Sequence, residues 1–169
     1  MAVKRSGADP KKDIESIVKI VKDNANGIRT SVMNTTKGQE VRRIFNEGTA
    51  TDGTGIGKYK GSSVEFRTKA GRQTGRVDLE LTGTLRRSLV VGTSKGQVVM
   101  GMLEQPEPKV SVKGGRLRIT GTSDFQTTEN AIAQEDHFGK EIFAPSEQEI
   151  KRGERTVVKE INRLVKKAL

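Results

Sequence analysis

Little in this chain could do chemistry. His137 is the only histidine, flanked by Glu135 and Asp136, and there is no cysteine. An acidic–His cluster is what a metal centre or an acid–base pair would use. Three consecutive residues do not bring ligands to one side of an element, however, and no Cys or second His can complete a shell. A Ser–His–Asp constellation cannot be argued from a single His. His137 therefore reads as a surface or interface residue, and no catalytic residue, metal site or cofactor is assigned. Gly53-Thr54-Gly55-Ile56-Gly57-Lys58 invites comparison with a phosphate loop. Tyr59 follows Lys58 where that pattern needs Ser or Thr, and no strong strand precedes it, so the segment reads as a flexible loop.

The remaining signal is basic. Lys58, Lys60, Arg67, Lys69, Arg72 and Arg76 are interleaved with Tyr59 and Phe66. Cations of this kind neutralise phosphates, and aromatics stack on bases. A Gly-rich basic segment also suits an arm that stays soluble until it docks on an acidic neighbour. Three readings stay open for it: docking arm, DNA contact, or solvated loop. With no site for a substrate in view, the chain reads as a non-enzyme.

The elements that would position these residues lie in a chain of 169 residues, 32% hydrophobic and 31% charged, with a net charge of +10. That length fits one domain. A chain so poor in large apolar residues completes its burial with difficulty alone, and oligomerisation is a common remedy. The charge fits a nucleic acid, an acidic protein, or simple solubility. Met1 to Gly7 has no apolar core of the signal-peptide kind, and no apolar run approaches the roughly 20 residues that span a bilayer. A soluble protein without a membrane partner is expected.

Residues 1–8 read as a disordered tail and 9–47 as a helical region. Asp9 and Pro10 form a helix start. Ile14, Ile17, Val18, Val21, Ala25, Ile28 and Val32 recur at helical spacing, and the phase holds across Gly27, so one continuous helix is expected. Helical character resumes at Val41, Ile44 and Phe45. From 48 to 76 Gly is frequent and almost nothing can be buried, which predicts a long flexible basic loop or arm. Residues 77–125 read as a β-rich core: a helical turn at Thr84–Ser88, a hairpin around Gly92–Gly96, and a second around Lys113–Arg116. Pro106-Glu107-Pro108 should separate the two pairs, since Pro cannot donate to a ladder. In the helical 126–169 region, Thr127–His137 should turn Ala131, Ile132 and Ala133 inward. Ser146 and Glu149 form a capping box for a last helix with Ile150, Val157, Ile161, Leu164 and Val165 on one face.

Leu81-Thr82-Gly83-Thr84-Leu85-Arg86-Arg87-Ser88-Leu89 resembles the "L-T-G-x-L-R-x-S-I" signature of tailed-phage virion morphogenesis proteins, the tail-completion and neck proteins. Asp52-Gly53-Thr54-Gly55 before it, Gln134 to Gly139 after it, and Phe143-Ala144-Pro145 fit the same succession across residues 45–169. The order of Pro and Phe is altered here, and the aromatic usual before the Gln segment is replaced around Asn130-Ala131. The resemblance implies an α+β fold, with a small antiparallel sheet packed by long N-terminal and C-terminal helices. It implies a homo-oligomeric ring, of six or twelve copies by the family's habit, around the DNA channel at the head–tail junction of the virion. Subunits would assemble in the host cytoplasm against portal or adaptor and tail proteins, without catalysis. The signature residues Leu81, Thr82, Gly83, Leu85, Arg86 and Ser88 make physical sense as an anchored turn. Gly83 bends the chain, Thr82 caps the turn, and Leu81, Leu85 and Leu89 share a face while Arg86 and Arg87 point outward. The rival reading is a sequence-independent nucleic-acid-binding protein whose footprint joins the basic loop to Lys4, Arg5, Lys11 and Lys12.

Overall fold

A computed structural model describes residues 10–168, so the expected tail at 1–8 and the Asp9 cap lie outside the described residues. The chain is α+β. Helices α1 (Pro10–Asp23) and α2 (Ala25–Val41) lead into a π-helical turn, Arg42–Glu47. Helices α3 (Ser62–Lys69) and α4 (Thr84–Ser88) precede strands β1 (Leu89–Ser94), β2 (Gln97–Met102), β3 (Pro106–Lys113) and β4 (Arg116–Gln126). Helices α5 (Thr127–Phe138) and α6 (Glu147–Ala168) complete the order.

The single N-terminal helix expected from periodicity is two. Asn24 breaks it: its side-chain amide donates to the Ile20 carbonyl at 2.8 Å, and its backbone leaves helical values at φ −102°, ψ 8°. Short polar side chains interrupt helices this way by offering backbone groups a local partner. α2 runs straight through Gly38 and packs antiparallel to α6. Thr36 faces Gly153, and Ser31 reaches Glu160. Much of the N-terminal apolar stripe stays outside: Ile14 is 62% exposed and Val18 45%.

The β structure is divided into two antiparallel ribbons, β1–β2 and β3–β4, where one small sheet was expected. Each hairpin turns on two residues with positive φ, Lys95-Gly96 and Gly114-Gly115, which matches the twist of two-residue turns. Pro106 and Pro108 do not merely separate the pairs. They open β3, where a two-stranded ribbon leaves one edge free of ladder bonds and a missing N–H costs little. β1–β2 packs on α2, while β3–β4 projects.

The core gathers Ile44 and Phe45 of the π-turn, Ala50, Ile56, Val77, Leu85 of α4, Ala131 of α5 and Ile142. Two of these, Ala50 and Ile56, come from the stretch expected to bury almost nothing. That stretch also contains α3 and buries Arg67 and Ala70, so the long loop of 48–76 is corrected. The expectation for α5 is corrected in part: Ala131 is buried, but Ile132 is 61% exposed and Ala133 is exposed. The α6 capping box is present, with the Ser146 N–H donating to Glu149 Oε2 at 2.7 Å and the Glu149 N–H to Ser146 Oγ at 3.4 Å. Ile150, expected on its apolar face, is exposed.

Candidate functional site

Two buried ion pairs hold the polar middle of the chain. Arg43 enters from the π-turn. Its Nε meets Glu149 Oε1 at 2.9 Å, and its other nitrogens donate to the carbonyls of Thr49, Ile142 and Ala144 at 2.8–3.1 Å. Thr51 Oγ1 donates to that same Ala144 carbonyl. One guanidinium thus ties the start of the Gly-rich stretch to the approach of α6. Arg67 of α3 does the same at the other end. Its Nη2 lies 2.8 Å from Asp78 Oδ1, its Nε donates to the Gln73 carbonyl, and its plane sits 4.2 Å over the Tyr59 ring. The Tyr59 hydroxyl donates to Asp78 Oδ1 and accepts the N–H groups of Asp78 and Leu79. Gln73 adds a bond to Asp78 Oδ2. Burial, with the Asp78 charge beside it, pushes the Tyr59 phenol up to about 12.

This arrangement redistributes the predicted contact residues. Arg67, only 4% exposed, and the half-buried Tyr59 spend their polar atoms inside the fold, while both also line the cleft described next. Arg76 is exposed and donates to the Asn46 carbonyl. Lys58, Lys60, Lys69 and Arg72 are exposed, and Phe66 is half-buried. Lys58, Lys60, Phe66 and Lys69 line an open cleft of about 1310 Å3, together with Leu81, Thr82 and Leu85 of the signature segment and residues of β3 and α5. Arg72 and Arg76 do not line it. The structure therefore joins the basic stretch and the signature segment on one concave surface.

The signature segment is an anchored turn. Gly83 takes φ +77°, Thr82 Oγ1 accepts the Thr84 N–H at 3.2 Å, and Leu85 and Leu89 are buried. Arg86 does not point freely outward. It is half-buried and reaches Glu80 at 3.3 Å. Ser88 is fully buried and donates to the Leu85 carbonyl, while its own carbonyl accepts the Leu103 N–H. That last bond fixes where β2 ends.

The acidic–His cluster resolves into separate jobs. Glu135 Oε1 accepts the N–H groups of Ile142 and Phe143 at 2.7 and 2.9 Å, closing the loop after α5. His137 lies at the cleft and packs edge-on against Phe138, ring centroids 4.7 Å apart. The phosphate-loop-like segment is a turn in which Asp52 Oδ1 accepts the Thr54 N–H and hydroxyl, and these bonds hold its carboxyl below the usual range. Lys140 closes over it by donating to Thr54 Oγ1 and the Gly55 carbonyl at 2.6 Å.

No family model, curated protein or solved structure matches the chain.

Sequence reasoning missed Arg43, Glu40, Gln73 and Asp78. The available signal was a charge inside an apolar run: Arg43 beside Val41, Ile44 and Phe45, and Asp78 between Val77 and Leu79. Such charges are buried only when paired. Glu40 differs from the others. It is fully buried, neither of its carboxylate oxygens has a partner among the described residues, and burial together with the nearby Glu149 raises it to about 7 against the pull of Arg43.

Proposed function

We propose that this chain is a structural assembly protein of the head–tail junction of a tailed phage, working as one copy in a ring that joins portal-side and tail-side components in the virion. The observation that carries the reading is the distribution of apolar surface. Among the described residues nine large apolar side chains are exposed, on α1, β2, the β2–β3 link, β4, α5 and α6. The core they surround is small for a chain of this length, and in this reading burial is finished against neighbouring copies. Among the described residues no helix is long and apolar enough to cross a membrane. The resemblance of Leu81 to Leu89 supplies the virion context, and catalysis has no part in this reading.

Electron micrographs of the purified chain, free of nucleic acid, test it. Ring particles of uniform size are expected, and a monomer at every concentration overturns it. A nucleic-acid role keeps one specific support, the exposed Lys58, Lys60, Lys69 and Arg72 on a single stretch. Tight binding to DNA with log affinity falling steeply against log salt would favour it, since released counterions set that slope.

A further inference from the structure

The charge of this chain is unevenly distributed. Between Arg118 and Lys140 it has no Lys or Arg and four acids, Asp124, Glu129, Glu135 and Asp136. From 57 to 76 it has six cations and one acid, Glu65. The first segment includes α5 and the second supplies one wall of the cleft.

α5 has two working faces. Asn130, Gln134, His137 and Phe138 line the cleft. Turned well away from them around the helix are Glu129, Ile132 and Asp136, all exposed, with Phe125 exposed just before the helix begins. That outer face is apolar at its centre and acidic at its ends. The cleft is its complement, with Lys58, Lys60 and Lys69 exposed at it and Phe66, Leu81 and Phe138 supplying apolar lining.

We propose that the outer face of α5 docks in the cleft of a second copy of this chain. The cleft, about 1310 Å3 and open, exceeds the roughly 300–1,000 Å3 typical of small-molecule pockets and suits a helix face. A polyanion fits it less well, because Glu65 and Glu107 also line it and its apolar residues would find no match on a phosphate backbone. The two faces occupy different sides of one helix, so a subunit cannot fill its own cleft. The contact is heterologous: every copy offers one face and one cleft, and association continues until the rotation closes a ring. The net charge of +10 opposes association at long range, but at physiological salt screening acts over about 8 Å, and the local complementarity decides. This deepens the assembly reading and rests on it only for self-association.

Sedimentation velocity on the full chain tests the contact with two double variants. Lys58→Glu with Lys60→Glu breaks the cleft, and Ile132→Lys with Asp136→Lys breaks the face. Each is expected to weaken self-association at least about tenfold, because like charges then meet. Mixed in equal amounts, they should associate again, since an intact face meets an intact cleft and the reversed cleft meets the reversed face with opposite charges. Unfolding midpoints matching the parent show that the variants fold. Should a double variant unfold, Lys60→Gln and Asp136→Asn make the same test, each weakening association about twofold to fivefold. Variants that assemble like the parent, or a mixture that associates no better than either variant alone, overturn this contact and leave the ring reading standing. A parent chain that is monomeric throughout overturns both.

Discussion

Residues 48–78 and 106–126 are both rich in Gly, Thr, Lys and Arg, yet the structure treats them oppositely. The second holds five large apolar side chains in 21 residues, against five in 31 for the first. On apolar content alone it should be the better packed. Instead 106–126 is a projecting ribbon that buries none of its residues, while 48–78 places Ala50, Ile56, Ala70 and Val77 inside. The ribbon is held by its own ladder and little else, and an isolated hairpin is marginal in water. The other stretch is tied at one end by Arg43 and at the other by Arg67. Partnered buried charge, more than hydrophobicity, decides which polar segment joins the core.

Removing that charge pairing is the strongest way to break the contrast. Arg67→Met leaves Asp78 buried without its cation, and unfolding in urea should show a loss of about 3–5 kcal/mol. Changing Asp78→Leu as well should cost less than the sum of the two single changes, because no orphaned charge remains. Hydrogen exchange should quicken across 57–78 in Arg67→Met and stay unchanged in β3 and β4. Equal exchange in both regions would mean that Arg67 does not organise the stretch.

A weaker blow comes from pH, at the buried carboxylate that has no partner among the described residues. Glu40 lies next to the Arg43–Glu149 pair that anchors the packed stretch, and its carboxyl is raised from 4.5 to about 7. The folded chain therefore holds a proton that the unfolded chain gives up. Stability is greatest below pH 4.5 as far as this group is concerned, falls as pH rises towards 7, and is fully reduced above it. The displacement corresponds to about 3 kcal/mol. Glu40→Gln has no such proton to lose, so its stability profile from pH 4.5 to 7 should be flatter than the parent's. Parallel profiles would remove the assignment.

These contacts also mark where sequence reading reaches and where it stops. The Ser146/Glu149 capping box, the Thr84–Ser88 turn and both hairpins were legible, because each is written in residues a few positions apart. The α+β class follows from their order. The Asn24 break was hidden by a stripe whose phase continues past it. Arg67 looked like any other cation of a basic loop, since its partner Asp78 is eleven residues away and its platform Tyr59 eight. The cleft was less legible still. It needs Lys58, Leu81 and Phe138 side by side, and no local pattern states that they meet.

The smallest predicted effect compares the two regions glycine for glycine. Gly48 ends the π-turn at φ +66°, and a Cβ built there would run into the Val77 carbonyl oxygen and crowd Arg76. Gly114 sits in the β3–β4 turn at a similar φ of +58°, with nothing within 4 Å of an added Cβ. Both positions impose the left-handed backbone, which costs a non-Gly residue about 1–2 kcal/mol. Only Gly48 adds a collision with backbone. Gly114→Ala should therefore cost about 1 kcal/mol and Gly48→Ala about 2 or more, read as shifts in urea midpoint with unchanged slope. If the two variants lose the same amount, the Gly-rich stretch yields around the methyl group as easily as the free hairpin does. Its packing against Val77 would then be far looser than two buried ion pairs require.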